Sequence, residues 1–248
     1  MKEILNVKNL KVQVEDKVIL KGIDLKINYG EIHVFMGPNG AGKTTFANAI
    51  MGNPIYDISE GEIYFKDKLI NDLAVDERAR EGIFMSFQAP IEVPGITVEN
   101  FLKTAKTAVT GETQRVMPFK RELKSSMEKL EMNPDYASRY LNVGFSGGER
   151  KKNEILQMSI LNPTLAFLDE TDSGLDVDAI RIVSQGINDF HSEENAIVII
   201  THQIKLLEKI NPDYVHVFVD GEIVKSGDMS LALDIEKNGF DAYKKEVE

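Results

Sequence analysis

A glycine-rich run, GPNGAGKTT at residues 37–45, lies directly between the apolar run EIHVFM and a helix-like stretch. It matches the pattern G-x-x-x-x-G-K-[ST], whose backbone binds phosphate groups when it joins a strand to a helix. Gly37, Gly40 and Gly42 allow the backbone to curl so that successive N–H groups face phosphate oxygens. The helix that follows presents the positive end of its dipole to the same place. The run therefore favours an α/β fold with a phosphate site at the end of a buried strand.

Every residue of this loop is expected to take part in binding. Lys43 adds a mobile positive charge, and Thr44 can place its hydroxyl on Mg²⁺. The alternative is a glycine-rich turn without a ligand, and the full pattern in its strand-to-helix context argues against it. The residues predicted to bind the nucleotide here are Gly37, Pro38, Asn39, Gly40, Ala41, Gly42, Lys43, Thr44 and Thr45.

Four short apolar runs, each flanked by helix-like sequence, predict the strands of the core. They lie at 31–37, 82–88, 164–170 and 195–203. Near-continuous apolar strands of this length are typical of a parallel sheet covered on both faces. Alternating apolar and polar residues predict antiparallel strands over 9–27 and 61–70, and YVHVFVDGEIVKSG predicts a hairpin at its Asp-Gly pair. The expected fold class is α/β, with a mixed, largely parallel sheet and an N-terminal antiparallel β subdomain.

The spacing between the second and third apolar runs is too long for one crossover. Residues 89–160 instead have the pattern of several helices, among them TVENFLKTAKTA, FKRELKSSMEKL after Pro118, and FSGGERKKNEILQM. We therefore predict a single domain over 1–248, with residues 1–88 and 161–248 as the catalytic core and 89–160 as an inserted α-helical subdomain.

The carboxyl ends of the predicted parallel strands carry polar residues that could act on a bound phosphate. Asp169 and Glu170 end the run TLAFLDE, Gln88 ends another, and His202 follows the last. Ligands of open parallel sheets bind at such ends. Asp169 is placed to hold Mg²⁺, Glu170 to orient or deprotonate water, and His202 to sense a terminal phosphate. The other histidines are interpreted as structural: His33, His191 and His216.

A second candidate phosphate site lies in FSGGERKKNEILQM at residues 145–158. Ser146 and Glu149 have the S-x-x-E spacing of a capping box at a helix start. That spacing does not explain Gly147 and Gly148, since a glycine costs a helix about 1 kcal/mol relative to alanine. Exposed N–H groups at a helix start favour an anion. Ser146, Gly147, Gly148 and Glu149 are therefore predicted to bind nucleotide.

Two unlike phosphate sites on different lobes are not expected to share a nucleotide within one copy of the chain. They can do so when two copies associate head to tail. ATP would then lie between the phosphate loop of one copy and the Ser-Gly-Gly helix of the other. The sequence thus predicts a transient, ATP-dependent homodimer.

Composition excludes some functions and bounds the location of the chain. Asp and Glu number 40 against 29 Lys and Arg, for a formal net charge of -11, which disfavours nucleic acid as a partner. The chain has no cysteine, so it can form no disulfide and offers no thiolate to a metal. Its start lacks the apolar region of a signal peptide, and the run AIVII at 196–200 is too short to cross a bilayer. We expect a cytoplasmic protein without direct membrane insertion.

These motifs, in this order, resemble those of the ATP-binding-cassette ATPases over essentially the whole chain. The resemblance covers the phosphate loop, the Q-loop at Gln88, the signature FSGGE at 145–149, the strand ending at Asp169, the D-loop SGLD at 173–176 and the switch His202. It implies ATP and Mg²⁺ as cofactors, and Thr44, Gln88 and Asp169 around the metal. It also implies Glu170 as the catalytic carboxylate, assisted by Gln88 and His202, with Ser146 and Gly148 contacting ATP of the other copy.

Departures from the general pattern point to one branch of this family. Val14 stands where an aromatic residue usually stacks on adenine, and Thr171 and Asp172 stand where transporter subunits mostly have a proline and a small or apolar residue. SFQAPIEVPGI, FSGGERKKNEILQM and LDETDSGLDVDA resemble the SufC-type ATPases of SUF iron–sulfur cluster assembly. The resemblance implies SufB- and SufD-type scaffold proteins as partners. The alternative is the ATP-binding subunit of a membrane ABC transporter, which shares the catalytic motifs.

The charge pattern suggests a form of regulation. Four acidic residues crowd negative charge near the site: Asp169, Glu170, Asp172 and Asp176. Two lysines follow the signature. We hypothesise that Lys151 or Lys152 reaches Glu170 and holds it away from water. A solvated basic helix face is the alternative.

Overall fold

Two β-sheets and the helices packed on them form the core of the computed structural model, which describes residues 2–243. The strands are β1 (Glu3–Val14), β2 (Lys17–Asn28), β3 (Ile32–Met36), β4 (Asp57–Phe65), β5 (Lys68–Leu69), β6 (Ile83–Met85), β7 (Val93–Thr97), β8 (Tyr140–Leu141), β9 (Leu165–Asp169), β10 (Ala196–Ile200), β11 (Tyr214–Val219) and β12 (Glu222–Gly227). The α-helices are α1 (Lys43–Met51), α2 (Val75–Glu81), α3 (Val98–Thr110), α4 (Val116–Lys129), α5 (Gly147–Leu161), α6 (Val177–Phe190), α7 (Ile204–Ile210) and α8 (Met229–Asn238). Short 3-10 helices cover Pro134–Ser138 and Asp241–Tyr243.

The larger sheet carries the predicted parallel strands. Its spatial order within the described part of the chain is β12-β11-β3-β10-β9-β6, and every neighbouring pair except β11 with β12 is parallel. β3, β9 and β10 are buried at every position, which explains their uninterrupted apolar sequence. Because parallel strands share one direction, β3, β6, β9 and β10 all end at the same edge of the sheet. The α/β fold predicted from the sequence is confirmed.

The smaller sheet is antiparallel, with the order β2-β1-β4-β5 in residues 2–243. It contains the strands predicted over 9–27 and 61–70. The predicted Asp-Gly hairpin is β11–β12, where Asp220 and Gly221 both have positive φ, at 48° and 81°. A Cβ on Gly221 would lie 2.0 Å from the Ile19 carbonyl oxygen. Glycine is therefore required for the hairpin to pack against β2 and the phosphate loop, where its N–H donates to Ala41.

Helices α3, α4 and α5 follow the first part of the core and pack on one another through Leu102, Phe119, Leu123, Ile155 and Met158. α4 begins two residues before Pro118, so this proline occupies the first turn and does not precede the helix as the sequence had suggested. The short β7–β8 pair was not predicted. The division at residues 89 and 160 stays a prediction. No helix of the described residues combines the length and apolar character that a bilayer span requires.

Candidate nucleotide site

The phosphate loop connects β3 to α1 with the curled backbone that its glycines predict. Gly37, Gly40 and Gly42 have φ values of 150°, 80° and 102°. A Cβ on Gly37 would lie 2.1 Å from the Phe218 carbonyl oxygen, so a side chain has no room at this position. No side chain of the described residues caps the start of α1. Its first N–H groups are therefore free to bind an anion.

Lys43 folds back over the loop that carries it. Its side chain is buried, and its ammonium donates to the carbonyls of Gly37 and Pro38, at 3.0 Å for Pro38. Burial lowers the pKa of Lys43, and the carboxylates of Glu170 and Asp169 oppose that shift. The ammonium thus braces the curled loop at the predicted phosphate site.

Asp169 ends β9 with a fully buried carboxylate. Neither of its oxygens has a hydrogen-bond partner among the described residues, a costly arrangement for an acid in the interior. Burial raises its pKa, while the nearby Thr44 hydroxyl lowers it. Thr44, Gln88 and Asp169 line one cavity of about 350 Å³. Hydroxyl, amide and carboxylate oxygens are ligands that Mg²⁺ accepts, so the three residues predicted around the metal fit it.

Glu170 occupies strained backbone immediately after that strand. Its φ is 48°, in the left-handed region, and its N–H donates to the carbonyl of Ile200 at 2.9 Å. Its carboxylate accepts a hydrogen bond of 3.0 Å from the side-chain amide of Gln88. Glu170 and Gln88 line a cleft of about 570 Å³ together with residues 39–45 of the phosphate loop. The predicted catalytic carboxylate therefore faces the predicted phosphate site.

His202 lies in a loop that a buried carboxylate holds in place. Asp172 accepts a short hydrogen bond from the Thr201 hydroxyl, and its carbonyl accepts from the Gln203 side chain at 2.9 Å. Burial raises the pKa of Asp172, and its bond to Thr201 opposes the shift. His202 is exposed to solvent, yet partial desolvation by the surrounding protein lowers its pKa, as does the Lys43 ammonium, while the Glu170 charge opposes the shift.

The signature residues begin α5 with the predicted capping box. The Glu149 N–H donates to the Ser146 hydroxyl at 3.3 Å, and the Ser146 N–H donates to the Glu149 carboxylate at 2.7 Å. Glu149 also accepts a short bond from Tyr136, so its carboxylate is occupied within the chain. A Cβ on Gly147 would meet no described atom within 4 Å, and one on Gly148 would meet only ordinary contacts at 3.8 Å or more. Packing within the chain does not require these two glycines.

The structure corrects one expectation about other residues, while the place of Val14 beside adenine stays a prediction. The wall of the 570 Å³ cleft beside the phosphate loop is formed by Lys17 and Ile19 of β2. Reasoning from the sequence missed these two because β2 carries no motif. Lys151 and Lys152 do not contact Glu170. Lys151 bonds to Glu154 and to the carbonyls of residues 87 and 88, and Lys152 donates to the Glu131 carbonyl.

The phosphate loop, the strand ending in two acids and the parallel sheet define a P-loop nucleoside triphosphatase. The ABC transporter family profile matches residues 20–173. The probable ATP-dependent transporter ycf16 of Cyanophora paradoxa is 49% identical over 243 residues, covering 96% of this chain and 94% of that protein. Vegetative protein 296 of Bacillus subtilis (strain 168) is 48% identical over 245 residues, covering 98% and 94%.

Solved structures show the same fold at lower identity. The ADP conformation of MJ1267, an ATP-binding cassette of an ABC transporter, has a TM-score of 0.79 at 22% identity, covering 96% of each chain. The dimeric post-hydrolysis state of the cassette MJ0796, bound to ADP and Pi, has a TM-score of 0.80 at 23% identity, covering 91% of this chain and 99% of that one. The chain belongs to the ABC transporter family and is an ABC-type, nucleotide-binding ATPase.

Proposed function

We propose that this ATPase is the motor subunit of a SUF-type iron–sulfur cluster assembly machine, working in the cytoplasm with SufB- and SufD-type scaffold proteins. It takes ATP with Mg²⁺ and hydrolyses it between two copies of the chain. The proposal assigns no role to nucleic acid and no direct membrane insertion. The two parts of the proposal, the dimeric site and the partners, have separate support and separate tests.

Contacts in the structure support the roles that we propose within the site. The N–H groups of the phosphate loop and Lys43 bind the phosphates, and Thr44, Gln88 and Asp169 hold Mg²⁺. The metal, when bound, neutralises charge on the transferred phosphoryl group. Glu170 lies on the same cleft and accepts a proton from the attacking water. Gln88 donates to Glu170 at 3.0 Å and so fixes the orientation of that carboxylate.

The dimer is supported above all by the two unexplained glycines of α5. Residues 146–149 are not among those that line the 570 Å³ cleft of the described chain, so they do not complete the site in one copy. Gly147 and Gly148 have open space around them and no positive φ. The two glycines weaken the helix, and packing within the chain does not require them. Their presence is consistent with the close approach of a group from another molecule. Ser146, Gly147 and Gly148 would contact the ATP held by the partner copy.

A test of the dimer uses two inactive variants that complement each other. Lys43→Ala damages the phosphate loop and Gly148→Asp blocks the α5 start, and neither homodimer should hydrolyse ATP. A mixture of the two contains heterodimers with one intact composite site, so activity should return to about a quarter of the wild-type rate, the share expected from random pairing and independent sites. A mixture that stays inactive at all ratios would contradict the head-to-tail arrangement.

The partners are proposed from the residues that depart from the transporter pattern. Asp172 is among them, and the structure uses it to hold the His202 loop through Thr201 and Gln203. The alternative, the ATP-binding subunit of a membrane transporter, is favoured by the names of several relatives. One is the probable ABC transporter ATP-binding protein SpyM3_0208 of Streptococcus pyogenes serotype M3, 48% identical over 239 residues, covering 96% of this chain and 93% of that protein.

Reconstitution distinguishes the two functions. The purified chain is mixed with a purified SufB- and SufD-type scaffold complex of the same source, and ATP hydrolysis is followed by phosphate release. The assembly function predicts a stable complex and a rate several-fold above that of the chain alone. The Glu170→Gln variant is the control for contaminating ATPases. Absence of binding and stimulation, with recovery of a multi-span permease from source cells instead, would reject the assembly function in favour of transport.

A further inference from the structure

The loop between β6 and β7, residues 86–92, is bonded to β9 at Ser86 and is held beyond that residue mainly by side chains of α5. The loop contains Gln88 and forms no strand or helix. At its start the Phe87 N–H donates to the Glu154 carboxylate at 2.7 Å, and the Lys151 ammonium donates to the carbonyls of Phe87 and Gln88, each at 3.3 Å. The backbone of this loop thus finds partners on a helix more than 60 positions further along the chain.

Lys151 and Glu154 are themselves a buried ion pair. Their charged groups lie 3.1 Å apart, and the two residues are 6% and 2% exposed. Burial raises the pKa of Glu154, and the neighbouring Lys151 charge opposes that shift. A buried pair of this kind is costly unless further hydrogen bonds satisfy both ions. Here the loop backbone supplies those bonds, so the pair and the loop stabilise each other.

The far end of the loop is held by the same helix. Asn153 donates to Asn142 at 2.9 Å, and Asn142 in turn donates to the Ile91 carbonyl at 2.9 Å. Arg150 forms an ion pair with Glu92. The first two turns of α5 therefore contact the loop at both ends, and a movement of the helix cannot leave the loop behind without breaking these bonds.

We propose that the Lys151–Glu154 pair is a positioning device for hydrolysis, which fixes where the Gln88 side chain meets the catalytic carboxylate. The inference rests on the proposed roles of Gln88 and Glu170. The hydrogen bond from Gln88 to Glu170 is 3.0 Å long, and its donor is attached to the backbone that the pair holds. The same helix begins at Ser146, so contact of α5 with a partner copy's nucleotide is transmitted to Gln88 through two buried charges.

The test is a mutant cycle on the full-length chain with MgATP as substrate. Lys151→Met combined with Glu154→Leu removes the pair without leaving a buried charge, and Gln88→Ala removes the group that it positions. We expect each of these variants to lower kcat on the order of 10-fold, and Lys151→Met/Glu154→Leu to change KM for MgATP by less than about 2-fold. Because both changes act through one side chain, the combined variant should be no more than about 2-fold slower than Gln88→Ala alone. Lys152→Met, on the same helix but bonded to the Glu131 carbonyl, is the matched control and should keep the wild-type kcat.

The outcomes separate the inference from the proposed function. If Gln88→Ala keeps the wild-type kcat, the proposed role of Gln88 fails and the inference with it. If Gln88→Ala is slow but Lys151→Met/Glu154→Leu is not, the inference alone fails. The inference also fails if the combined variant is slower than Gln88→Ala by the full factor that Lys151→Met/Glu154→Leu causes alone. That result would indicate a general structural defect, which slows hydrolysis whether or not Gln88 is present.

A second variant covers the case in which Lys151→Met/Glu154→Leu does not fold. Lys151→Met with Glu154→Gln keeps a neutral acceptor for the Phe87 N–H, and its kcat should lie between those of Gln88→Ala and the wild type. Hydrogen exchange is measured on the same variants. The inference requires faster exchange over residues 86–92 with unchanged exchange in α1, and equal exchange in the loop of variant and wild type would overturn it.

Discussion

The wild-type chain should lose stability when the pH falls from 7 to 5, and replacement of His216 by glutamine should make that loss smaller. His216 belongs to a buried chain of hydrogen bonds that the catalytic site does not use. Its Nε2 lies 2.9 Å from Nδ1 of His33, its Nδ1 lies 2.7 Å from the Ser226 hydroxyl, and Nε2 of His33 lies 2.9 Å from the Glu31 carboxylate. Both imidazoles are almost fully buried.

The magnitude follows from the pKa of His216. Burial is the larger cause and the charge of His33 the smaller one, and together they lower the pKa of His216 to about 3, while the Glu31 charge opposes the shift. A histidine in the unfolded chain has a pKa of about 6.5. The unfolded chain therefore binds a proton that the folded chain does not, so the contribution is intact above about pH 6.5 and is lost as the pH falls. Between pH 7 and pH 5 this linkage lowers the free energy of unfolding by about 2 kcal/mol.

The assay is urea unfolding without nucleotide, followed by circular dichroism at both pH values. For each protein the free energy at pH 5 is subtracted from that at pH 7. We expect this difference to be smaller in His216→Gln than in the wild type by about 2 kcal/mol, even if the variant is less stable at both pH values. Ser226→Ala is the control, because it removes a hydrogen bond and keeps the imidazole. Equal pH differences in wild type and His216→Gln would refute the reasoning.

Three predictions concern the nucleotide site. Glu170→Gln should bind ATP normally and slow hydrolysis on the order of 100 to 10,000-fold. Dimers should therefore accumulate with ATP, as judged by size-exclusion chromatography. Full turnover in this variant would show that Glu170 is not the group that acts on water. Lys43→Ala should weaken ATP binding about 10-fold or more, measured by calorimetry, because a buried charge-assisted contact is lost; unchanged affinity would contradict its role. Gly147→Ala should keep or raise the melting temperature, since its Cβ meets no described atom within 4 Å, and yet abolish the ATP-dependent dimer. A dimer of normal stability would show that close approach at Gly147 is not needed.

Local sequence patterns were sufficient to predict the strands that form the site. Uninterrupted apolar residues identify β3, β9 and β10 because these strands are buried on both faces. Asp169 and Glu170 at the end of β9 identify the edge of the sheet at which we propose that the nucleotide binds. Ser146 and Glu149 form the predicted capping box because that motif depends only on two residues three positions apart. A structural feature whose physical cause lies within a few residues of the chain can therefore be predicted from the sequence.

The features that were missed depend on distant segments. β7 and β8 pair through two register positions across more than 40 residues, and neither strand is long enough to carry a period. Lys17 and Ile19 reach the cleft because the β1–β2 hairpin packs beside the phosphate loop, which no local pattern encodes. The hypothesis that Lys151 reaches Glu170 was wrong for a related reason. A single sequence does not show that Glu154 is buried beside Lys151 and competes for its charge.

Two buried polar pairs hold the loops that carry Gln88 and His202. Asp172 is 2% exposed and depends on Thr201, just as Lys151 depends on Glu154. Replacing one member of either pair leaves an unpaired polar group in the interior, at a cost of about 1 to 3 kcal/mol or more when it is charged. Such positions are stable only as complete sets. One pair holds the backbone at Gln88 and the other holds the His202 loop, so two of the residues proposed to act in hydrolysis are fixed within the chain before any partner binds.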